Sequence, residues 1–376
     1  MLRPLVSPFD EGALAREGPA GPFFFRRSLL RLRLRASILF VLASAGATAS
    51  GCGNPACKIG GINDPSNRTL RRDLLHHGLG EFCKEMLSRE APLKLTPDTP
   101  VTGRFFPTRC NQREVDGGNL VIDFEGSGYV WTALSKKATF TASGTVEYDQ
   151  DFRCSEDDAM YAYFPVKQVR ASSFQMHVVE APLAQMMQPW IQQNADNFGS
   201  QLLGGKLHDG FTVIRESSGS TDFDIGILPL GQRPQHPFRV ANGSRTTYEN
   251  ARTEVHQNER DFIGPIRLDK AGAIYLTANV DGIDAVDIFV IPKDEGDASL
   301  KLFMDYGPGG KMANEPQRQW AVARGQDFRQ TVTLPSGMYY VVIDNTPWAG
   351  QVAPPQNAFD DRAAVVSYVI QIGDAP

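Results

Sequence analysis

The sequence carries no catalytic signature. G-x-S-x-G, H-E-x-x-H and the phosphate loop G-x-x-x-x-G-K are absent, and no G-x-G-x-x-G falls at a strand-to-helix turn. Histidine is scarce: His76, His77, His177, His208, His236 and His256 each stand in a different local context, with no C-x-x-C and no H-x-x-x-H. His76 and His77 are adjacent on a predicted helix, so their side chains diverge by about 100° and do not share an ion. These absences point away from an enzyme and from any cofactor. Basic excess is missing too. The 376 residues carry 38 Lys and Arg against 43 Asp and Glu, a net charge of −5. Residues 1–51 hold seven Arg against three acids, so the remaining 325 residues carry −9. Such a chain does not attract nucleic acid. Past residue 51 there is no apolar run long enough to cross a bilayer, which takes about 20 residues, and no internal repeat.

What is present begins with a leader. A basic stretch, "RRSLLRLRLR", precedes an apolar run from Ser37 to about Ala47 and then small residues, the plan of a secretory signal. Met1–Phe25 has no signal features and reads as coil, which a start codon assigned too far upstream explains. Ala49-Ser50-Gly51-Cys52 resembles the bacterial lipobox, with Ala49 where Leu is usual. The resemblance implies cleavage before Cys52 and a diacylglyceryl anchor on its thiol; the alternative is cleavage nearby and a free thiol. Gly53, which is not Asp, resembles outer-membrane sorting, so the protein is expected in the cell envelope, facing the periplasm or the cell surface. With Cys52 lipidated, Cys57, Cys83, Cys110 and Cys154 remain, an even number in an exported chain. Four cysteines allow three connectivities. Joining neighbouring segments predicts Cys57–Cys83 and Cys110–Cys154.

The pattern along the mature chain predicts a mainly β protein. Residues 52–63, rich in Gly, read as a flexible tether from the membrane. An α+β domain over 64–240 starts with a helix at Asp64-Pro65, continues as an antiparallel meander from Val101, and contains a second amphipathic helix over 181–205. That helix carries Leu183, Met186, Met187, Trp190, Ile191, Phe198, Leu202 and Leu203 on one stripe. It reads either as packed on the preceding sheet or as covering an apolar cavity, where Met186, Met187, Trp190 and Phe198 would face a lipid-like ligand. "DFEGSGYVW" reads as a hairpin turn between strands, and "VANGSRTTYENAR" as a linker. The order of elements over 64–231 resembles tubular lipid-binding (TULIP-like) domains, which implies an apolar groove.

The region 250–376 predicts a jelly-roll-like β-sandwich. Gly282–Val290, "LPSGMYYVVI" and "SYVIQI" resemble the pre-peptidase C-terminal type of sandwich. In "GMYYVVIDN", Tyr339, Val341 and Ile343 alternate with Tyr340, Val342 and Asp344, the pattern of a half-buried strand. "SLKLFMDYG" reads as another strand. Some relatives of that sandwich bind calcium or polymer surfaces, which makes Asp281, Asp284 and Asp287 a weak calcium candidate. Trp348, in "NTPWAGQVAPP", falls in an exposed loop, where a tryptophan either plugs the end of the sandwich, the commoner use, or stacks on a sugar or a partner protein, and Trp320 reads similarly. The sequence thus predicts a membrane-anchored, non-catalytic binding protein. Its ligand is a lipid held in the N-terminal domain, or an envelope protein or polysaccharide docked by the sandwich.

Overall fold

A computed structural model describes residues 54–376 except 79–81, 95–98, 116, 133–135, 180–208, 217–220, 241–244, 306–310, 315, 317 and 355–361. The chain opens with 3-10 turns at Pro55–Lys58 and Pro65–Asn67, then α1 (Arg68–Gly78) and α2 (Phe82–Met86). Strands β1 (Ala91–Lys94), β2 (Val101–Val115), β3 (Asn119–Thr132), β4 (Lys136–Tyr148), β5 (Asp151–Cys154), β6 (Met160–Phe164) and β7 (Val166–Val179) follow. After β8 (Phe211–Arg215) and β9 (Thr221–Ile225) come β10 (Thr246–Val255), β11 (Glu259–Leu268), β12 (Gly272–Asp281) and β13 (Ala285–Pro292). Helix α3 (Lys293–Asp305) precedes β14 (Arg318–Ala323), β15 (Phe328–Leu334), β16 (Gly337–Asn345) and β17 (Ala364–Gly373). The protein is mainly β, as its alternating pattern predicts. No helix among the described residues is long and apolar enough to cross a membrane.

Nine strands form one sheet, in the order β15-β12-β17-β10-β2-β3-β4-β7, with β1 also on β2. Its first four strands face the antiparallel sheet β11-β16-β13-β14, and the two enclose a core that includes Ile274, Leu276, Ile288, Val341, Ile343 and Ile370. This is the expected sandwich. Its second sheet is not half-buried, however. Tyr339, Val341 and Ile343 enter the sandwich core, while Tyr340, Val342, Phe262 and Phe289 pack on the other side with Leu300 and Phe303. The expected strand "SLKLFMDYG" is therefore mostly α3, whose Leu300 and Phe303 cap that outer face. A strand buried on both faces reads as a near-continuous apolar run, as "DIFVIP" and "YYVVI" do.

The two regions expected as separate domains share the nine-stranded sheet and lie in one compact unit, Gly53–Pro376. The stretch read as a linker supplies β10, paired antiparallel with β17 and, through Thr253 and Val101, parallel with β2. The expected turn at Gly126-Ser127-Gly128 is instead the middle of β3, which pairs without interruption with β4 from Leu120 to Thr132. The glycines are there for clearance. A Cβ on Gly128 would lie 2.4 Å from the Arg104 carbonyl oxygen and 2.7 Å from the Phe140 ring. One on Gly126 would lie 2.5 Å from the Phe105 ring. Aromatic rings laid across strand glycines, with Phe105 and Phe140 stacked at 6.3 Å, hold a long sheet in register where side chains are missing.

The sheet β5-β6-β8-β9 and α1 close the outer end of β2-β3-β4 around Phe152, Phe164, Phe211 and Tyr148. Here the cysteine pairing differs from expectation. The disulfides are Cys57–Cys154 and Cys83–Cys110, 97 and 27 residues apart. The two pairs are nested because α2 lies on β2, which puts Cys83 over Cys110, while the N-terminal 3-10 turn lies against the end of β5. The expected tether is not one over residues 54–63. Asn54 Oδ1 accepts from the Ala56 amide (3.2 Å), Ile62 is buried, and Asn63 exchanges two hydrogen bonds with the Cys154 backbone (2.7 and 2.9 Å). Buried Arg71 completes the clamp, donating to Asp151 (2.6 and 3.0 Å) and to the carbonyls of Ile62 and Asp64 (2.8 and 2.7 Å).

Candidate functional site

Two constellations of polar side chains stand out, one sealed and one at the surface. The sealed one lies where β10 meets β2. Arg104 is 0% exposed. Its guanidinium forks onto Asp261 (Nε to Oδ1 2.5 Å, Nη2 to Oδ2 2.8 Å) and donates to Glu90 Oε1 (2.8 Å), Glu249 Oε2 (3.2 Å) and the Tyr368 hydroxyl (2.8 Å). Tyr129 donates to Asp261 (2.9 Å), Tyr248 to Glu90 (2.8 Å) and Tyr368 to Glu249 (2.6 Å). Three acidic side chains thus face Arg104, with Arg89 set over the Tyr248 ring at 4.6 Å. Burial, against the pull of Arg104 and with the repulsion of Glu249, pushes the Glu90 carboxyl up to about 8. A proton kept on Glu90 leaves two acids facing two guanidiniums.

That shift has a sign. The folded chain holds the Glu90 proton over a pH range in which the unfolded chain has released it. The stabilisation is complete below about 4.5 and is lost as pH rises through 8. Urea titrations should give falling stability between these limits, and Glu90→Gln, which keeps the neutral form, should flatten the slope. An unchanged slope in Glu90→Gln would locate the proton elsewhere.

The surface constellation is the loop after β16. Among the described residues it is where the sandwich shows a large aromatic to solvent, since Trp348 is 38% exposed. The loop is held from below by buried charge. Arg260 pairs with Asp344 and donates to Thr346 Oγ1 (2.9 Å). Thr346 Oγ1 donates to Asp344 Oδ2 (2.9 Å) and accepts from the Trp348 amide (3.3 Å). Burial pushes the Asp344 carboxyl up to about 6 against the attraction of Arg260. From β13, buried Asp287 accepts from the amides of Gln351 and Val352 (2.9 and 2.7 Å). Gly350, at φ +80°, leaves room for that carboxylate: a Cβ would meet Asp287 Oδ2 at 2.2 Å. Asp287, read as a calcium candidate, is therefore the loop's brace. Burial raises its carboxyl, and the two amides pull it back. Asp281 turns outward to the Gly282 amide (2.8 Å) and to Arg324 (3.2 Å). The three aspartates are not brought together, and among the described residues no group of three His, Cys, Asp or Glu gathers at metal-binding distance.

Other sequence candidates are dispersed. Met186, Met187, Trp190 and Phe198 fall at 180–208, outside the described residues, as does Cys52. Trp320 is not a loop residue: it lies on β14 opposite Ile288, packed on the sandwich core with its ring 5.9 Å from that of Phe328. His177 sits on the open face of β7, 3.0 Å from Thr141 Oγ1. His236 Nδ1 lies 2.8 Å from the Asn250 carbonyl. His256 stacks on Trp131 at 3.3 Å; Glu254 Oε1 is 3.3 Å from its Nε2, outside hydrogen-bond geometry. His76 pairs with Glu114 (2.6 Å) and His236 also with Asp222 (3.4 Å), both as single surface pairs, and His208 lies outside the described residues. A groove between the starts of α3 and β16 is lined by Lys293, Asp294 and Asp297 beside Met338 and Tyr339, and it lies open to solvent.

No family model and no curated protein matches the chain. A solved structure, a glycoside hydrolase family 43 arabinoxylan arabinofuranohydrolase from Bacillus subtilis in complex with cellotetraose, aligns over 76% of this chain and 70% of that one. The identity is 11% and the TM-score 0.20, an overlap too low to carry fold or activity across.

Proposed function

We propose that the protein is a bacterial lipoprotein, anchored in the cell envelope through Cys52, with a non-catalytic binding role exercised by the Trp348 loop of its C-terminal sandwich. The braced loop is the observation that carries the binding role. An aromatic side chain left in solvent while its backbone is fixed by buried Asp287, Asp344 and Arg260 is pre-organised for contact, so little entropy is lost when a partner stacks on it. The partner is an envelope protein or polysaccharide. The anchor rests on the basic, apolar and small-residue order of residues 26–52. It is supported by two disulfides, which form and persist in oxidising compartments.

Both parts have direct tests. Cys52→Ser should move the protein from the membrane to the soluble fraction, and membrane retention would refute the anchor. A photoreactive phenylalanine analogue in place of Trp348 should give an adduct in intact cells. The same analogue at exposed Lys270 is the control, and equal yields at the two positions would refute the binding loop. Whether the adduct is proteolysed or glycosidase-sensitive identifies the class of partner.

A further inference from the structure

We infer that the turn Pro229–Gln232 is a membrane-contact surface seated on the lipid bilayer beside the anchor. The inference rests on the reading of Cys52 as the lipidated residue. A lipidated Cys52 has almost no slack. Packing begins at Asn54, two residues on, and at about 3.5 Å per extended residue Cys57 lies within about 18 Å of Cys52. Cys57 is bonded to Cys154 at the end of β5, and Asn63 and Arg71 fix the intervening chain to the same strand. The end of the β5-β6-β8-β9 sheet that carries Cys154 is therefore held at the headgroup level.

The surface there suits that position. After β9 the chain runs back across this sheet: the Leu228 amide donates to Thr212 Oγ1 (2.9 Å), and Arg233 reaches Asp157 (2.7 Å) in the turn that follows Cys154. Asp158, next along that turn, pairs with Lys58 of the anchor segment. Between these points the Gln232 amide donates to the Pro229 carbonyl (2.9 Å). Gly231 is at φ +84°, which makes a type II turn with Leu230 at its first corner. Leu230 is 49% exposed and Ile227 43%. Turn corners ordinarily carry Pro or polar residues; here the corner presents a leucine to the outside. Phe223, on the adjoining β9, is 44% exposed. Phe223 lies on the face of the sheet turned to Phe211 and Cys154, whereas the return segment crosses the opposite face over Ile214 and Tyr161, so Leu230 is the exposed apolar side chain of the turn itself. The cations that reach the turn after Cys154 are engaged within the protein: Lys58 with Asp158, Arg233 with Asp157 and Glu216. The contact is accordingly apolar insertion among lipid headgroups, and salt leaves it intact.

The opposite pole is far away. β10 runs parallel to β2 with Thr253 opposite Val101, so the turn at Asp269–Lys270, beside the far end of β17, lies beyond the start of β2. The anchor-bearing sheet packs near its end. β2 alone, 15 residues long, spans roughly 50 Å if straight.

The test uses the full-length lipidated protein, purified from membranes and reconstituted in phosphatidylethanolamine–phosphatidylglycerol vesicles containing a diazirine-bearing lipid. After irradiation, peptides covering 226–233 should carry lipid adducts several-fold above those covering 266–272, in high as in low salt. Leu230→Asp, which leaves the anchor in place, should still float with the vesicles but lose most labelling at 226–233. If the protein floats and 226–233 is labelled no more than 266–272, the contact surface is refuted while the anchor stands. If the wild-type protein does not float, or Cys52→Ser floats equally well, the anchor reading itself falls.

Discussion

Arg104→Met is expected to be the most damaging single substitution in the described part of the chain. The variant leaves Glu90, Glu249 and Asp261 facing one another, all three buried, with the Tyr129, Tyr248 and Tyr368 hydroxyls as their remaining close donors. Breaking a buried ion pair by removing one partner costs about 3–5 kcal/mol, because an uncompensated charge stays in a medium that solvates it poorly. Here Arg104 holds two ionised acids and the protonated Glu90 at once, so the upper end of that range applies. For a chain of this size each kcal/mol lowers the midpoint by about 2–4 °C, and a drop of roughly 10 °C or more should be read by calorimetry. A second variant separates charge from packing. Arg104→Met with Glu249→Gln and Asp261→Asn should recover part of the loss, since the desolvated charges go with their partner. A single-variant loss under about 1 kcal/mol would show that water reaches the cluster and that it is not a sealed junction.

The second large effect concerns the nested disulfides. Replacing Cys57 and Cys154 by Ala opens a 97-residue loop, and replacing Cys83 and Cys110 opens a 27-residue one. Chain entropy assigns the first about 4.7 kcal/mol and the second about 3.5 kcal/mol. The long-range pair should therefore be the costlier to lose by about 1 kcal/mol in urea unfolding. Packing does not separate the two pairs, because all four cysteines lie in or against the core that holds Phe152 and Phe164. Non-reducing peptide mapping comes first and should link the Cys57 peptide to the Cys154 peptide. A Cys57–Cys83 linkage would overturn the pairing and, with it, the account of how residues 54–63 are held.

How much of this was legible in the sequence follows from what each element shows to its neighbours. Strands β11 to β13 and β15 to β17 announce themselves, because β-branched and aromatic residues recur every second position or run together where both faces are covered. β10 does not. Its inward positions include Glu249 and Asn250, and a strand whose buried side chains are polar looks like a linker until its partners, 145 residues away for Arg104 and Glu249, are in place. α3 misleads in the other direction. Leu300, Leu302 and Met304 alternate with Lys301 and Phe303, so a short window reads as period two, whereas burial follows the helical spacing of Leu300 and Phe303. The two exposed pairs with Lys at i and Asp at i+4, Lys293–Asp297 and Lys301–Asp305, were the helical signal. At the candidate site Trp348 was visible as a loop tryptophan. Its bracing was not, because Asp287 reads as a turn carboxylate and only the fold turns it inward. The cysteines gave the right four participants and the wrong partners, since pairing depends on which strand a helix lies over.

The junction at Arg104 also bears on what can be inherited or exchanged. A chain cut near residue 240 would keep Arg104 and Glu90 and lose Glu249, Asp261 and Tyr368, while the released remainder would keep two acids with no guanidinium between them. Neither piece is a cassette that recombination can shuffle into another architecture with its interior neutral. The sandwich resembles a portable module in outline, yet in this protein it is bound to its neighbour by the composition of their common interior.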